Sequence, residues 1–455
     1  MTIPLYKSLF KRYLLPFVLA VGIMACGGVQ PLREVFKKQT PYEKYEQSLK
    51  TAKLENTALG REWMAAGQRA LRDSLTITLP FKETGYFAAD KPAAISYRLS
   101  AKRGQRLVIG TEIKSTQPVQ VFIDVFELNN ASGRNPRHVA TADTNTASLS
   151  YEVEEDQIHL IRLQPELLTS GNYTISITRE PTLAFPIPGK NSKQIGSVWG
   201  VPRDGGARRH EGVDIFARKG TPVIASTNGY IRAANENNLG GKVVWLSDEN
   251  RNQVLYYAHL DSQLVRGGER VEIGDTIGLV GNTGNARTTA PHLHFGIYRS
   301  GRGAFDPFPA LQLASEDPQP VIADMKRLAT WARVGAKKAS VRIAPDAKAT
   351  LLLELDRNTP VYITGGAANW YKVKLPNEIT GYVSSTLIEN LEKPLRTQRL
   401  QAPGLLLEQP DSLAPFVTAL EAGDALPVLA ENDEFLFVQT LNGEQGWIPK
   451  SAEIE

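Results

Sequence analysis

The chain has 455 residues, roughly three times the length of a typical single domain, so several domains are expected. Apolar residues make up 42% and charged residues 22%, which excludes a disordered or collagen-like chain. The net charge of +4 is small and dispersed, so nucleic acid is not expected as a partner.

The N-terminal segment has the pattern of a secretory signal. Three basic residues precede the apolar run Tyr13–Ala25, which would span about 20 Å as a helix at ~1.5 Å per residue. That length is too short for a ~30 Å hydrocarbon core. The run ends in Ile-Met-Ala-Cys26, which resembles a bacterial lipobox, and Cys26 is the only cysteine of the chain. We predict a lipoprotein signal peptide over residues 1–25 and lipidation of Cys26; an ordinary signal peptide or a short membrane anchor is the alternative.

Residues 26–77 are predicted to form a tether followed by a helical adaptor. From Pro41 to Ser74 apolar residues recur at helical spacing, with Gly60 and Gly67 expected to break or bend the helices. From Leu79 the apolar period changes to two and turn clusters separate short segments, which predicts a β-sandwich over residues 78–180.

Two histidines and a proline-rich stretch in this part of the chain are predicted to have no catalytic role. His138 lies in a polar turn and His159 on an alternating stretch, so both are expected to be surface or structural residues. Pro181–Gly189 contains three prolines in nine residues, which predicts a linker to the next domain.

Four of the six histidines lie between residues 210 and 294, in three short motifs. These motifs are His210-Glu-Gly-Val-Asp214, Ala-His259-Leu and His292-Leu-His294. Alternate side chains of a strand share a face, so His292 and His294 should project together, as should His210 and Asp214 if that stretch is extended. Imidazoles with one carboxylate are the ligand set of a catalytic zinc site, and the surplus histidines suit proton transfer or oxyanion stabilisation. Each histidine alone would be taken as structural, but the joint pattern favours a metal site.

With these motifs, residues 199–311 resemble the lysostaphin/LytM-type zinc metallopeptidases, which have the duplicated hybrid motif fold. The family is marked by H-x-x-x-D, a later H, and H-x-H, all present in this sequence. The resemblance implies that His210, Asp214 and His294 bind Zn²⁺, and that His259 and His292 form the catalytic pair. One departure is Ala290 before Pro291, where the family usually has glycine.

The resemblance also implies hydrolysis of peptide cross-links in peptidoglycan by a metal-activated water. A lipid anchor at Cys26 would hold the enzyme in the cell envelope, on an inner or outer bacterial membrane that faces the periplasm or cell wall. Some relatives have lost their ligands and regulate other wall hydrolases, so the alternative is a non-enzymatic regulator or binding protein. None of the ligand residues is missing from this sequence, which favours the enzyme.

The C-terminal third contains an internal repeat. A shift of 65 residues superposes Gly-Tyr382-Val on Gly-Trp447-Ile, and Trp370 on Phe435. Each unit resembles bacterial SH3-type barrels, which commonly bind peptidoglycan in wall hydrolases. The predicted units are residues 330–392 and 393–455. Trp370, Tyr382 and Trp447 are expected in the barrel cores, with stacking on a ligand as the alternative.

The sequence thus predicts a mainly β, multidomain fold. It comprises a short N-terminal helical segment, a β-sandwich, an antiparallel β-sheet zinc peptidase domain over residues 190–314, and two SH3-like small barrels.

Overall fold

The computed structural model describes residues 38–128, 136–143 and 148–450. The predicted signal sequence and Cys26 therefore lie outside the described residues. Within the described ranges, no helix has both the length and the apolar character needed to cross a membrane. Strands dominate the described secondary structure, as the sequence predicts.

Two helices open the described part of the chain, α1 (Pro41–Thr51) and α2 (Ala58–Ala70). A capping box starts α1, because the Thr40 side chain accepts from the Glu43 amide while the Glu43 carboxylate accepts from the Thr40 amide. Of the expectation that Gly60 and Gly67 break or bend the helices, the break is wrong, since both glycines lie inside α2 and the helices are separated by residues 52–57. A Cβ on Gly67 would come 2.3 Å from the Tyr42 hydroxyl oxygen, so this glycine allows the two helices to pack closely.

The β-sandwich follows, with one sheet ordered β1-β3-β8-β5-β6 and a second containing β2-β9-β4-β7. The outer face of the first sheet packs on α1 and α2 through an aromatic cluster in which Tyr42 stacks on Trp63 and contacts Phe122. Strand β5 is consequently buried on both faces instead of alternating. The strands are β1 (Leu75–Thr76), β2 (Phe81–Phe87), β3 (Ile95–Ala101), β4 (Gln105–Ser115), β5 (Val121–Leu128), β6 (Pro136–Thr141), β7 (Ser148–Glu152), β8 (Gln157–Pro165) and β9 (Gly171–Pro181).

The next region is built on a ten-stranded sheet whose central order is β13-β20-β17-β16-β15. All of its strand pairs are antiparallel. The strands of this region are β10 (Ile195–Ser197), β11 (Pro202–Arg203), β12 (Arg208–Arg209), β13 (Val213–Phe216), β14 (Pro222–Ile224), β15 (Gly229–Asn237), β16 (Gly241–Asp248), β17 (Val254–Gln263), β18 (Arg270–Val271), β19 (Thr276–Val280), β20 (His292–Arg299) and β21 (Gly303–Phe305), followed by the short helix α3 (Phe308–Leu311).

The predicted linker Pro181–Gly189 is part of this region's core. Leu183 and Ile187 are buried in the same cluster as Phe295 and Ile297. The Leu183 amide also donates to the Ala310 carbonyl oxygen at 3.1 Å. The linker prediction is wrong because prolines indicate only an extended backbone, whereas the two apolar side chains between them bind the segment to the sheet.

The first C-terminal unit shares a sheet with the sandwich. Strand β2 pairs with β25 (Pro360–Ala367) at Thr84–Gly366 and Gly85–Gly365, which joins the second sandwich sheet to this unit in one eleven-stranded sheet. The unit comprises β22 (Trp331–Val334), β23 (Lys338–Arg342), β24 (Leu351–Asp356), β25 (Pro360–Ala367), β26 (Trp370–Lys374), β27 (Thr380–Ser384) and β28 (Ile388–Glu389).

The second unit repeats these strands with the predicted offset of 65 residues, which places β33 (Phe435–Gln439) and β34 (Gln445–Pro449) at the positions of β26 and β27. Trp447 and Tyr382 are both fully buried, so neither is available to stack on a ligand. The prediction that they lie in the barrel cores is wrong, because Tyr382 belongs to the core cluster of the sandwich and Trp447 to a separate cluster that includes Trp331. Trp370 is half-buried and also packs against the sandwich cluster. Trp447 packs against Trp331 of the preceding unit. The strands are β29 (Arg396–Arg399), β30 (Gly404–Leu407), β31 (Phe416–Leu420), β32 (Ala425–Glu431), β33 (Phe435–Gln439) and β34 (Gln445–Pro449).

Candidate metal centre

Two neighbouring strands and one loop bring the metal-ligand candidates together. Asp214 on β13 and His294 on β20 are direct cross-strand partners. His210 does not share the strand of Asp214, contrary to one reading of the sequence, because it lies in the loop between β12 and β13. The backbone at Gly212 passes so close to His294 that a Cβ there would lie 2.6 Å from the imidazole Cε1. Gly212, within the His210–Asp214 motif, therefore leaves room for the imidazole of His294.

Two imidazole nitrogens and one carboxylate oxygen converge at this point. Nε2 of His210 lies 2.9 Å from Oδ1 of Asp214 and 3.0 Å from Nδ1 of His294, and Nδ1 of His294 lies 3.0 Å from the same carboxylate oxygen. Nδ1 of His210 lies 2.8 Å from the Val198 carbonyl oxygen, which can only accept, so this nitrogen carries the proton and Nε2 of the neutral ring presents a lone pair. The Nε2 lone pair of His210 therefore faces the Asp214 carboxylate oxygen with no proton from this ring between them, an arrangement that a cation stabilises.

These atoms form a group that can hold a metal ion. The ligand atoms of His210, Asp214 and His294 all lie within 4.8 Å of one another. Neutral imidazole nitrogens and a carboxylate oxygen suit zinc, and three protein ligands leave an open position, as catalytic zinc sites do. The residues present therefore fit the zinc ion that the sequence predicts.

The remaining two histidines border the same point. The rings of His259 and His292 have centroids 5.0 Å apart, and Nε2 of His292 lies 4.0 Å from Oδ1 of Asp214. Each ring donates its Nδ1 proton to a backbone carbonyl oxygen, of Thr283 for His259 at 3.0 Å and of Ala290 for His292 at 2.8 Å. Both rings therefore carry their lone pair on Nε2. The departure from the family pattern at Ala290 leaves this carbonyl contact intact.

The backbone at His259 is held in an uncommon conformation. Its φ of 63° lies in the left-handed region, which side chains with a Cβ rarely adopt. Its amide donates to the Gly240 carbonyl oxygen at 2.7 Å, which helps to hold the residue there. A strained, tightly bonded residue beside the metal ligands is typical of a functional position.

Burial and neighbouring charges shift the pKa values of the Asp214 carboxyl group and of two histidines. Burial alone would raise the pKa of Asp214, but hydrogen bonds and charge interactions with His210 and His294 outweigh it and lower that pKa below its usual range. Burial, followed by the positive charges of protonated His292 and His294, lowers the pKa of His259 to about 4. Burial likewise lowers the pKa of His294. The cluster therefore combines an ionised carboxylate with neutral His259 and His294 at neutral pH.

One contact of the site was not predicted from the sequence. Arg203 donates from Nη2 to Oδ2 of Asp214 at 2.6 Å and to Oγ of Ser197 at 2.8 Å. Ser197 Oγ in turn lies 3.4 Å from Nδ1 of His210. Arg203 lies on the β11–β12 hairpin, and no regular spacing in the sequence relates it to Asp214 or His210. Only the fold therefore shows that Arg203 holds these two candidate ligands, Asp214 directly and His210 through Ser197.

The other two histidines lie elsewhere. His159 is fully buried in the sandwich, and His138 contacts the buried Asp124 at 3.1 Å. Neither approaches the metal-ligand candidates, in keeping with the structural roles expected of them.

Comparison with known families agrees with this geometry. Residues 208–307 match the family model described as Peptidase family M23, and residues 337–389 match the model described as Bacterial SH3 domain. The chain contains an M23 peptidase domain. The matched residues include all five candidates of the site.

Curated relatives of the M23 domain include named endopeptidases. The chain is 39% identical over 140 residues to the L-Ala--D-Glu endopeptidase of Bacillus subtilis, covering 28% of this chain and 43% of that protein. It is 38% identical over 106 residues to the peptidoglycan DD-endopeptidase ShyC of Vibrio cholerae, covering 22% of this chain and 24% of that protein. The chain thus spans less than half the length of these relatives.

Among solved structures, the M23 domain is similar to the catalytic domain of lysostaphin from Staphylococcus simulans. The two are 36% identical, with a TM-score of 0.24, over 26% of this chain and 94% of that one.

Proposed function

We propose that this protein is a zinc-dependent endopeptidase that hydrolyses peptide cross-links of peptidoglycan. The observation that carries the proposal is the convergence of His210, Asp214 and His294 on one point, with His259 and His292 beside it. The peptidoglycan DD-endopeptidases among its relatives support the substrate class.

The proposed roles follow from the orientation of each imidazole. His210, Asp214 and His294 would hold the ion, and zinc supplies Lewis-acid chemistry that polarises a carbonyl and makes water more acidic. His259 and His292 are each locked by a backbone carbonyl oxygen with a free Nε2. One of them can accept a proton from the attacking water while the other, once protonated, donates to the developing oxyanion or the leaving amine. Asp214 and Arg203 hold the ligand geometry during these transfers.

A direct experiment is digestion of purified peptidoglycan by the zinc-loaded protein. Mass spectrometry of the soluble products should show new amino and carboxyl termini within the cross-bridging peptides. Intact peptides with the zinc ion bound would contradict the proposal and would favour a regulatory protein.

The envelope location is a second part of the proposal. The lipobox-like sequence before Cys26 supports a lipid anchor on a bacterial membrane facing the periplasm or cell wall. Cys26→Ser should release the protein from membranes and leave peptidase activity in solution unchanged, because the active site is more than 180 residues away along the chain. Incorporation of a clickable fatty acid measures the anchor directly, and label that persists in Cys26→Ser would contradict it.

We propose further that residues 393–455 form a second SH3-like domain. The matching 65-residue offset of its strands supports this interpretation, although only residues 337–389 match the family model. Because Tyr382 and Trp447 are buried at successive domain junctions, any wall polymer would have to bind other surfaces of the two units.

A further inference from the structure

A row of aromatic rings leads away from the candidate metal ligands along the sheet. The Tyr256 ring lies 5.9 Å from that of His294, and Trp245 lies 4.2 Å beyond Tyr256 and 5.5 Å from Tyr298, measured between ring centroids. His294 and Tyr298 lie four residues apart on β20, so they project from the same face of the sheet. Tyr256 is buried, whereas Trp245 and Tyr298, which pack against it, are half-buried and form the accessible part of the row.

A cavity of about 840 Å³ lies at the far end of this row. Trp245 and Tyr298 line it, together with Arg232, Arg251 and Arg299. This volume lies within the range of small-ligand sites, which is about 300–1,000 Å³. The cavity therefore combines aromatic faces with a concentration of guanidinium groups.

Most charges around the cavity neutralise one another. Arg251 is held by Glu152 of the sandwich at 2.6 and 2.8 Å and contacts Asp248 at 3.3 Å. Glu249, which also lines the cavity, contacts Arg270 at 3.3 Å. These charges are engaged with partners inside the protein.

Two arginines of the lining are left over. Among the described residues, neither Arg232 nor Arg299 has an ion-pair partner, and the buried Nε of Arg299 has no hydrogen-bond acceptor. Guanidinium groups match carboxylates through paired N–H donors. The cavity therefore favours a negatively charged ligand.

The distance between the metal-ligand candidates and the cavity defines which part of a bound substrate would reach the cavity. Four residues of strand from His294 to Tyr298 advance about 13 Å at ~3.3 Å per residue, which an extended peptide of similar length also spans. We propose that this cavity binds a carboxylate of the stem peptide about four residues from the bond that is cut, with the chain between lying on the aromatic row. The inference rests on the proposed function and adds a specificity site to it.

The test compares a soluble cross-linked muropeptide with the same compound after its stem carboxylates have been converted to amides. For the wild-type protein, amidation should raise KM roughly tenfold, the effect of losing one charged hydrogen bond, with little change in kcat. In Arg232→Gln/Arg299→Gln the two compounds should have equal KM values. Arg266→Gln removes an exposed arginine of the same domain that does not line the cavity, and it should retain the wild-type preference.

Binding measurements separate this inference from the proposed activity. Calorimetric titration of both compounds into zinc-loaded His259→Ala, with and without the arginine substitutions, should show the same tenfold pattern in Kd even if no bond is cleaved. The single variant Arg232→Gln, at an exposed position, guards against misfolding and should lose part of the preference. Equal binding of the two compounds by the wild-type protein, or a preference that survives in the double variant, would overturn the proposal.

Discussion

Two buried carboxylates, Glu83 in the sandwich and Asp214 in the M23 domain, have opposite surroundings. Glu83 has no exposed surface and accepts from four donors: the Tyr97 hydroxyl at 2.6 Å, the Tyr173 hydroxyl at 2.8 Å, the Lys372 ammonium at 3.0 Å and the Tyr382 hydroxyl at 2.5 Å. Asp214 accepts from Arg203 through Oδ2, but its Oδ1 faces two imidazole nitrogens, and one of them, Nε2 of His210, presents a lone pair instead of a proton.

The difference distinguishes a structural carboxylate from a metal ligand. Each of the four polar contacts of Glu83 brings a proton to the carboxylate, so its cluster is complete as the protein folds and fastens the sandwich to the SH3 domain. Beside Asp214 the Nε2 lone pair of His210 meets a carboxylate oxygen without a proton from that ring, so the cluster is completed by a cation. Burial is similar in the two cases, and the count of donors and acceptors makes the distinction.

The largest effect should come from removing the carboxylate that faces the imidazoles. Asp214→Asn should abolish zinc retention and activity, because two histidines alone do not hold the ion well at neutral pH. Asp204→Asn, in the neighbouring hairpin turn, is the matched control and should retain both. Metal content after dialysis and peptidoglycan digestion measure the outcome. Full zinc occupancy in Asp214→Asn would remove the distinction between the two carboxylates.

A histidine beside the ligands should separate metal binding from chemistry. His259→Ala should retain zinc, because its lone pair lies outside the ligand group, but should lose about 10²–10⁴-fold in kcat, the usual contribution of a positioned acid or base. Metal analysis and single-substrate kinetics on one preparation test both halves. Unimpaired turnover in this variant would show that its assigned role is wrong.

Removal of the cationic partner of Glu83 should lower the stability of the protein and leave metal binding unchanged. Lys372→Met leaves Glu83 without its cationic partner and should lower the free energy of unfolding by about 3–5 kcal/mol, as for other broken buried pairs. Lys374→Met, two residues later, breaks an exposed pair with Glu378 and should cost less than about 1 kcal/mol. Calorimetric unfolding of the three zinc-loaded proteins makes the comparison. Equal effects of the two substitutions would mean that the buried network does not fasten the domains.

The smallest predicted change concerns Arg203, which braces the metal-ligand candidates. Arg203→Ala should weaken zinc affinity about 10–100-fold, as when a hydrogen-bond partner of a ligand is lost, and Arg203→Lys should recover part of it. Competition with a zinc chelator gives the affinity independently of turnover. If both variants bind zinc as the wild type does while activity falls, Arg203 acts on the substrate instead of on Asp214.

Much of the molecule was predictable because its signals are local. Alternation with a period of two marked the sandwich strands, and the 65-residue shift located the strands of both C-terminal units. The spacing of His210, Asp214, His259, His292 and His294 singled out the residues that the fold brings together. Each of these inferences needs only residue identity and separation along the chain.

What the sequence did not predict depends on contacts between distant segments. Gly60 and Gly67 looked like helix breakers because only the packing of Tyr42 shows why a side chain is excluded at Gly67. Pro181–Gly189 looked like a linker because the core that buries Leu183 and Ile187 is assembled from strands far along the chain. Lys372, which pairs with Glu83, lies nearly 300 residues away, so the sequence around neither residue indicates the pairing. Residue types and spacing determined the chemistry that this chain can perform, whereas tertiary packing alone decided which buried polar groups are completed by protons and which by a metal ion.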